Sequence, residues 1–330
     1  MEPAATTRAG PAVADAADLA DRARRGDRRA LARLLTEIEN RSATAEAALR
    51  ILYPLAGRAH LVGVTGPPGA GKSTLISALI GAVRATGRPV AVLAVDPSSP
   101  VTGGAILGDR VRMMDHAGDR DVFIRSMASR GHAGGLATAT IAAAAVLDAV
   151  GFPVLFLETV GTGQAEVEVA AVADTTLVVE APDMGDDVQA IKAGLLEVAD
   201  MVVVTKGDRP GADRTAGRLR AMLGTAPAAG RPDVLVTAAT NGAGVRELLA
   251  AIDGRAAALG ARGAGSDGAR LARARAQLEG IVAERIQARI LVAARTAETE
   301  ALLRAIAAHQ IDPYAAADQV IAAIDGTPRV

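Results

Sequence analysis

Between His60 and Leu259, short runs of consecutive apolar and β-branched residues alternate with longer stretches whose apolar positions recur at helical spacing. The runs predict strands over His60–Thr65, Val90–Asp96, Val122–Arg125, Val154–Glu158, Thr175–Ala181, Met201–Thr205 and Val234–Thr237. Several are apolar without alternation, as in strands covered on both faces, so a mainly parallel sheet flanked by helices is expected. The stretch Ser73–Thr86 carries Leu75, Ile76, Leu79, Ile80 and Val83 on one helical face. Upstream, Ala16–Leu49 is rich in charge and helix formers, with Leu19, Leu31, Leu34, Leu35 and Ile38 on one stripe, which predicts one or two helices; residues 1–14 are small and polar and are expected to be disordered. Ala261–Gly268 reads as a Gly-rich linker, and Ala269–Ile324 as helical again with a break at Asp312-Pro313. The expected organisation is an N-terminal helical extension over 1–50, an α/β domain over 51–260 and a C-terminal helical segment over 261–330.

The first predicted strand runs into Gly66-Pro67-Pro68-Gly69-Ala70-Gly71-Lys72-Ser73-Thr74, which matches the phosphate-binding P-loop spacing G-x-x-x-x-G-K-[ST]. Gly66, Gly69 and Gly71 let the backbone turn and bring its N–H groups, with those of Ala70 and Thr74, near phosphate oxygens. Lys72 reaches the β and γ phosphates, and Ser73 offers a hydroxyl to Mg²⁺. A strand before the loop and a helix after it supply the required context. The fold class expected is therefore α/β, a P-loop NTPase with helical extensions at both ends. Of the 36 Lys and Arg residues only Lys72, Lys192 and Lys206 are lysines. A chain that otherwise uses Arg keeps Lys where a compact ammonium fits and a planar guanidinium does not.

Composition narrows the function classes. The chain has 330 residues, 50% of them apolar, enough for a sizeable core. Its net charge is −1, so no global field attracts nucleic acid, and no nucleic-acid partner is expected. With no cysteine there is neither a disulfide framework nor a thiolate metal site. No apolar run approaches a membrane span and no signal-like start is present, so no membrane association and a cytoplasmic location are expected.

Strand ends supply the remaining chemistry, because ligands of an open α/β sheet gather at the carboxyl ends of its strands. Asp96 and Glu158 each end a predicted strand and can reach a Mg²⁺ held by Ser73, directly or through water. Val202-Val203-Val204-Thr205-Lys206-Gly207-Asp208 places a base reader after a later strand: the Asp208 carboxylate can accept two N–H donors from guanine while the Lys206 stem packs along the base, and adenine has no such donor pair. The segment resembles the guanine-recognition motif N-K-x-D with Thr205 in place of Asn. Thr237-Ala238-Ala239 resembles the companion S-A-K/L element, which supports the base through a backbone amide.

These motifs, with the strings Val95–Pro100, Thr102–Met113, Phe123–Gly131, Glu158–Gln164 and Gln189–Gly194, resemble the MeaB/ArgK/MMAA family of P-loop GTPases over nearly the whole chain. The resemblance implies a GTPase chaperone for an adenosylcobalamin-dependent acyl-CoA mutase, of which methylmalonyl-CoA mutase is the best-known partner, with GTP as substrate and Mg²⁺ as cofactor. It implies no cobalamin bound by this chain alone. It also implies that Lys72 and Ser73 hold phosphates and Mg²⁺, that Asp96 and Glu158 complete the metal shell, and that Asp109 lies in a first switch segment with a part in hydrolysis. It implies further that residues 182–192, which end in Lys192, form an additional switch through which the partner accelerates hydrolysis, with Lys192 acting only when that segment closes. Gln164 could orient water or cap a helix.

Two departures bear on this. Thr205 stands where the family has Asn, and Pro182-Asp183-Met184-Gly185-Asp186-Asp187 differs from the more usual Pro-Gly-Ala-Gly-Asp-Glu, which allows a different carbon-skeleton mutase, acting on isobutyryl- or hydroxyacyl-CoA, as partner. A nickel- or cobalt-insertion GTPase would carry a His-rich tail or a Cys motif; here there are four scattered histidines and no cysteine. An ATPase or kinase linked to amino-acid transport would need adenine selectivity, which Asp208 opposes. The apolar stripe Leu271, Leu278, Ile281, Val282, Ile286, Ile290 and Leu291 alone predicts packing on the parent domain; with the resemblance it implies a homodimer arm.

Overall fold

The computed structural model describes residues 11–96, 115–116, 118–128, 135–159, 172–182, 196–224, 231–261 and 267–326, together with Val169. Its strands are β1 (His60–Thr65), β2 (Val90–Asp96), β3 (Val122–Ala128), β4 (Val154–Thr159), β5 (Thr175–Glu180), β6 (Met201–Val204) and β7 (Asp233–Val236). They form one 7-stranded sheet in the order β3-β2-β4-β1-β5-β6-β7. Every pairing is parallel, as the continuous apolar runs require. β3 continues past the expected end at Arg125 because its ladder with β2 runs on to Asp96↔Ala128.

Alternation along the strands sends side chains to two covered faces. On one face Val62, Val64, Val92, Phe156, Leu177, Val179 and Val203 pack with α4 (Lys72–Ala85). Nearer the C-terminus, α7 (Val245–Ala261) adds Leu248 and Ile252 to that layer. On the other face Leu61, Leu93, Phe123, Leu155 and Leu157 meet α5 (Gly135–Ala149) and the N-terminal helices, while Val178, Val202 and Val204 meet α6 (Ala212–Leu223). Each large aliphatic side chain buried this way contributes about 1.5–3 kcal/mol.

The N-terminal region forms three helices, not the expected one or two: α1 (Pro11–Arg24), α2 (Arg28–Glu39) and α3 (Ala43–Leu52). The breaks come from caps. Asp27 accepts from the Arg29 and Ala30 amides, and Ser42 accepts from the Ala45 amide, each satisfying donors that a helix start leaves open. Helix α1 starts at Pro11, so the disorder expected through residue 14 does not extend over 11–14. These helices share a continuous core with the sheet, and Arg125 of β3 pairs with Glu39 of α2 at 2.8 Å. The chain through Arg273 is one compact unit.

A second compact unit begins at Ala274. The C-terminal helices are α8 (Asp267–Ala293), α9 (Ala297–Ala307) and α10 (Pro313–Asp325). Asp312 caps α10 at the expected break; a second break, where Thr296 caps α9, was not expected, because a lone Thr in an Ala-rich run gives little signal. Leu278, Val282, Ile286, Ile290 and Leu291 of the α8 stripe are exposed. Among the described residues no helix is long and apolar enough to cross a membrane.

Candidate functional site

The strand order puts the exit of β1 between the exits of β4 and β5. The loop after Thr65 is therefore flanked by Glu158 and Thr159 on one side and Glu180 on the other, all three buried. In this loop Gly66 has φ of 140°, and a Cβ there would fall far inside van der Waals contact of the Val179 carbonyl oxygen, so the position admits only glycine. Gly71 has φ of 92° and precedes α4 with no side-chain cap. The start of α4 thus carries no capping side chain, and its amides and the positive end of the helix dipole are chemistry suited to an anion.

Lys72 and Ser73 are buried at the start of α4. The Lys72 ammonium donates to the Gly66 carbonyl at 2.7 Å and the Pro67 carbonyl at 3.1 Å, so it sits over its own loop. The Ser73 hydroxyl donates to Glu158 Oε1 at 2.6 Å. A hydroxyl and a carboxylate meeting at the helix start are hard oxygen donors, which suits Mg²⁺. Asp96 ends β2, two strands from β1 with β4 between; its side chain lies outside the described residues, as do Asp109, Gln164 and Lys192. Thr74 is exposed, and Ala70 is buried.

The base-reading loop leaves β6 beside the P-loop. The Thr205 hydroxyl is within hydrogen-bond reach of the Ala70 carbonyl and, at 3.0 Å, of the Glu180 carbonyl, joining P-loop, β5 exit and β6 exit at one atom. Lys206 has φ of 53° and donates to the Gly69 carbonyl at 2.8 Å, so its stem lies across the loop. Asp208 is exposed in the following turn. The Gly207 amide donates to the Thr237 carbonyl at 2.9 Å, which brings the turn Thr237-Ala238-Ala239 alongside. The Ala238 amide is taken by the Ala243 carbonyl at 2.9 Å, so an amide offered to a base from this turn comes from a later residue.

Sequence reasoning missed the buried polar residues that end the strands beside the P-loop. Thr65 and Thr159 are fully buried, with the Thr159 hydroxyl donating to Thr65 Oγ1 at 3.3 Å. Glu180 is 4% exposed. The available signal was positional: Thr65, Thr159 and Glu180 each close an apolar run.

A parallel sheet with a P-loop after its central strand, a helix with no capping side chain behind it and a Lys-x-Asp turn beside it defines a P-loop GTPase. A family model described as "Methylmalonyl Co-A mutase-associated GTPase MeaB" matches residues 31–296, and the chain belongs to that family. A protein of Pyrococcus abyssi, named provisionally as a GTPase, is 46% identical over 314 residues, 94% of this chain and 97% of its own length. The Escherichia coli protein named GTPase ArgK is 44% identical over 191 residues, 57% of this chain and 58% of its own. The solved structure of a protein described as LAO/AO transport system kinase superposes with a TM-score of 0.66 at 27% identity, covering 94% of this chain and 98% of that one.

Proposed function

We propose that this GTPase is a chaperone of an adenosylcobalamin-dependent acyl-CoA mutase, most directly methylmalonyl-CoA mutase, coupling GTP binding and hydrolysis to loading, protection or repair of the mutase cofactor. The observation that carries the reading is the family match over residues 31–296, whose description names that mutase. A mouse relative named methylmalonic aciduria type A homolog, mitochondrial, 42% identical over 147 residues, 44% of this chain and 35% of its own, adds support. On this reading the cobalamin is held by the mutase and not by this chain alone.

In the proposed site the α4 amides and Lys72 bind the phosphates, and Ser73, Glu158 and Asp96 hold Mg²⁺. When bound, the metal neutralises charge on the β and γ phosphate oxygens. Asp208 reads guanine, with Lys206 along the base and Thr205 fixing their loop to the P-loop. Hydrolysis is in-line attack of water at the γ phosphorus, breaking its bond to the β,γ-bridging oxygen and releasing GDP and phosphate. This chain contributes mostly position and charge, so the rate alone is slow and rises when a partner orders Asp109 and Lys192. The exposed face of α8 pairs with a second copy of this chain.

The departure at residues 182–187 favours one second reading, in which the partner is a mutase for isobutyryl- or hydroxyacyl-CoA. The test is the lifetime of each mutase during turnover. With this chain and GTP the true partner keeps its activity longer than with this chain and a non-hydrolysable GTP analogue. Equal lifetimes for every mutase would overturn the proposal.

A further inference from the structure

Helix α4 presents two different faces. Leu75, Ile76, Leu79, Ile80 and Val83 are fully buried in the core. Ser73, Ser77, Gly81 and Arg84 follow one another at spacings of three and four along another face, so they form a continuous stripe of small and polar residues. At its upper end the stripe carries Ser73, bonded to Glu158. One turn below, His116 reaches in from the chain that leads to β3.

Its Nε2 is 3.0 Å from the Ser77 carbonyl oxygen and 3.2 Å from Ser77 Oγ. A carbonyl oxygen can only accept, so Nε2 carries a proton and donates to it. The ring edge also approaches Gly81: a Cβ built there would stand 3.9 Å from His116 Cε1. Below, Arg84 donates to Asp119 at 2.7 Å and to Asp121 at 2.6 Å. Arg28 of α2 donates to the carbonyls of Arg120 at 2.8 Å and Val122 at 2.7 Å. Residues 119–122 are thus held from two sides, the Asp119 amide bonds the His116 carbonyl at 3.1 Å, and the imidazole meets the second turn of α4.

We infer that His116 is a positioning residue for GTP hydrolysis, acting through Ser77 on the first turn of α4 that carries Lys72 and Ser73. In an α-helix the Ser77 amide bonds the Ser73 carbonyl, so a donor fixing Ser77 fixes the axis on which the Ser73 hydroxyl is aimed. A small displacement there costs hydrolysis more than binding, since binding draws on many phosphate contacts while catalysis depends on aim. The inference rests on the proposed role of Ser73 in holding Mg²⁺.

The test compares His116→Leu, which removes the donor while keeping an apolar side chain, with His116→Gln, whose amide can restore the donor. Lys72→Ala serves as the control for the site itself. Single-turnover GTP hydrolysis, the Mg²⁺ concentration for half-maximal rate, GDP affinity and melting temperature are read for each. The expected result is about a tenfold loss of rate and a higher Mg²⁺ requirement in His116→Leu, with GDP affinity held within about twofold and substantial recovery in His116→Gln. A folded His116→Leu protein with unchanged rate and Mg²⁺ requirement, or one whose only change is a lower melting temperature, would overturn the inference. A Lys72→Ala protein as active as the wild type would overturn the site reading beneath it.

Discussion

Ser73 Oγ and Glu158 Oε1 are 2.6 Å apart, a bond that joins the first turn of the P-loop helix to the end of β4. The two residues are distant in sequence and meet because β4 lies directly beside β1 in the sheet. If both hold Mg²⁺, either alone is insufficient. Ser73→Ala and Glu158→Gln are each expected to lower the GTP hydrolysis rate about 10²–10³-fold, with a smaller loss of GDP affinity, measured by single-turnover hydrolysis and nucleotide titration.

Asp208 lies at the turn after Lys206, where a carboxylate can take both N–H donors of guanine. Asp208→Asn presents one donor and one acceptor, which matches the edge of xanthine instead. GTP affinity is expected to fall at least about hundredfold while XTP affinity rises, because a site built for paired hydrogen bonds rejects the wrong pattern strongly. Competition binding with GTP, XTP and ATP reads this directly, and ATP binding as tight as GTP in the wild type would contradict the assignment.

Gly66 combines φ of 140° with a backbone packed on Val179. Gly66→Ala is expected to lose about 2–4 kcal/mol of stability, or to distort the loop so that nucleotide binding goes first. Urea unfolding with and without GDP separates these, since a distorted loop no longer gains stability from the nucleotide.

Two carboxyls, Asp119 and Asp27, are held below the usual carboxylate range, mainly by side-chain hydrogen bonds from Arg84 and Arg22 respectively. A depressed folded-state value means that their contribution is present above the unfolded value and lost as pH falls through the folded one. Acid unfolding is therefore expected to draw on both pairs below about pH 4. Arg84→Ala, which removes the guanidinium hydrogen bond to Asp119, should move the acid midpoint upward in a circular-dichroism titration, and Arg22→Ala should act likewise through Asp27.

Much of the fold was legible because its signals are local. Continuous apolar runs gave the parallel strands, and β1 and β2 fall on their expected residues. The P-loop was legible because glycine spacing and Lys72-Ser73 leave few alternatives. What was not legible depends on tertiary neighbours or on single caps. Asp27 and Ser42 split the N-terminal helices through one side chain each. The coupling of Thr205 to both Ala70 and Glu180 requires knowing that β6 exits beside the P-loop. His116 gave no signal at all, since its partner Ser77 lies in another element.

Ile286 and Ile290 are 51% and 46% exposed, a turn apart on α8. If this face pairs with a second copy, Ile286→Asp with Ile290→Asp should convert a dimer to a monomer in light scattering while leaving the basal GTPase rate within about twofold. A monomeric wild-type protein would remove the proposed arm.

The central claim is partner-accelerated GTP hydrolysis. Its most direct measurement is the steady-state rate with increasing methylmalonyl-CoA mutase, for the wild type and Lys192→Ala, with ATP in parallel. The account predicts a saturable rise of at least about tenfold with GTP alone, lost in Lys192→Ala while the basal rate persists. No rise at saturating mutase, or an equal rise with ATP, would contradict it.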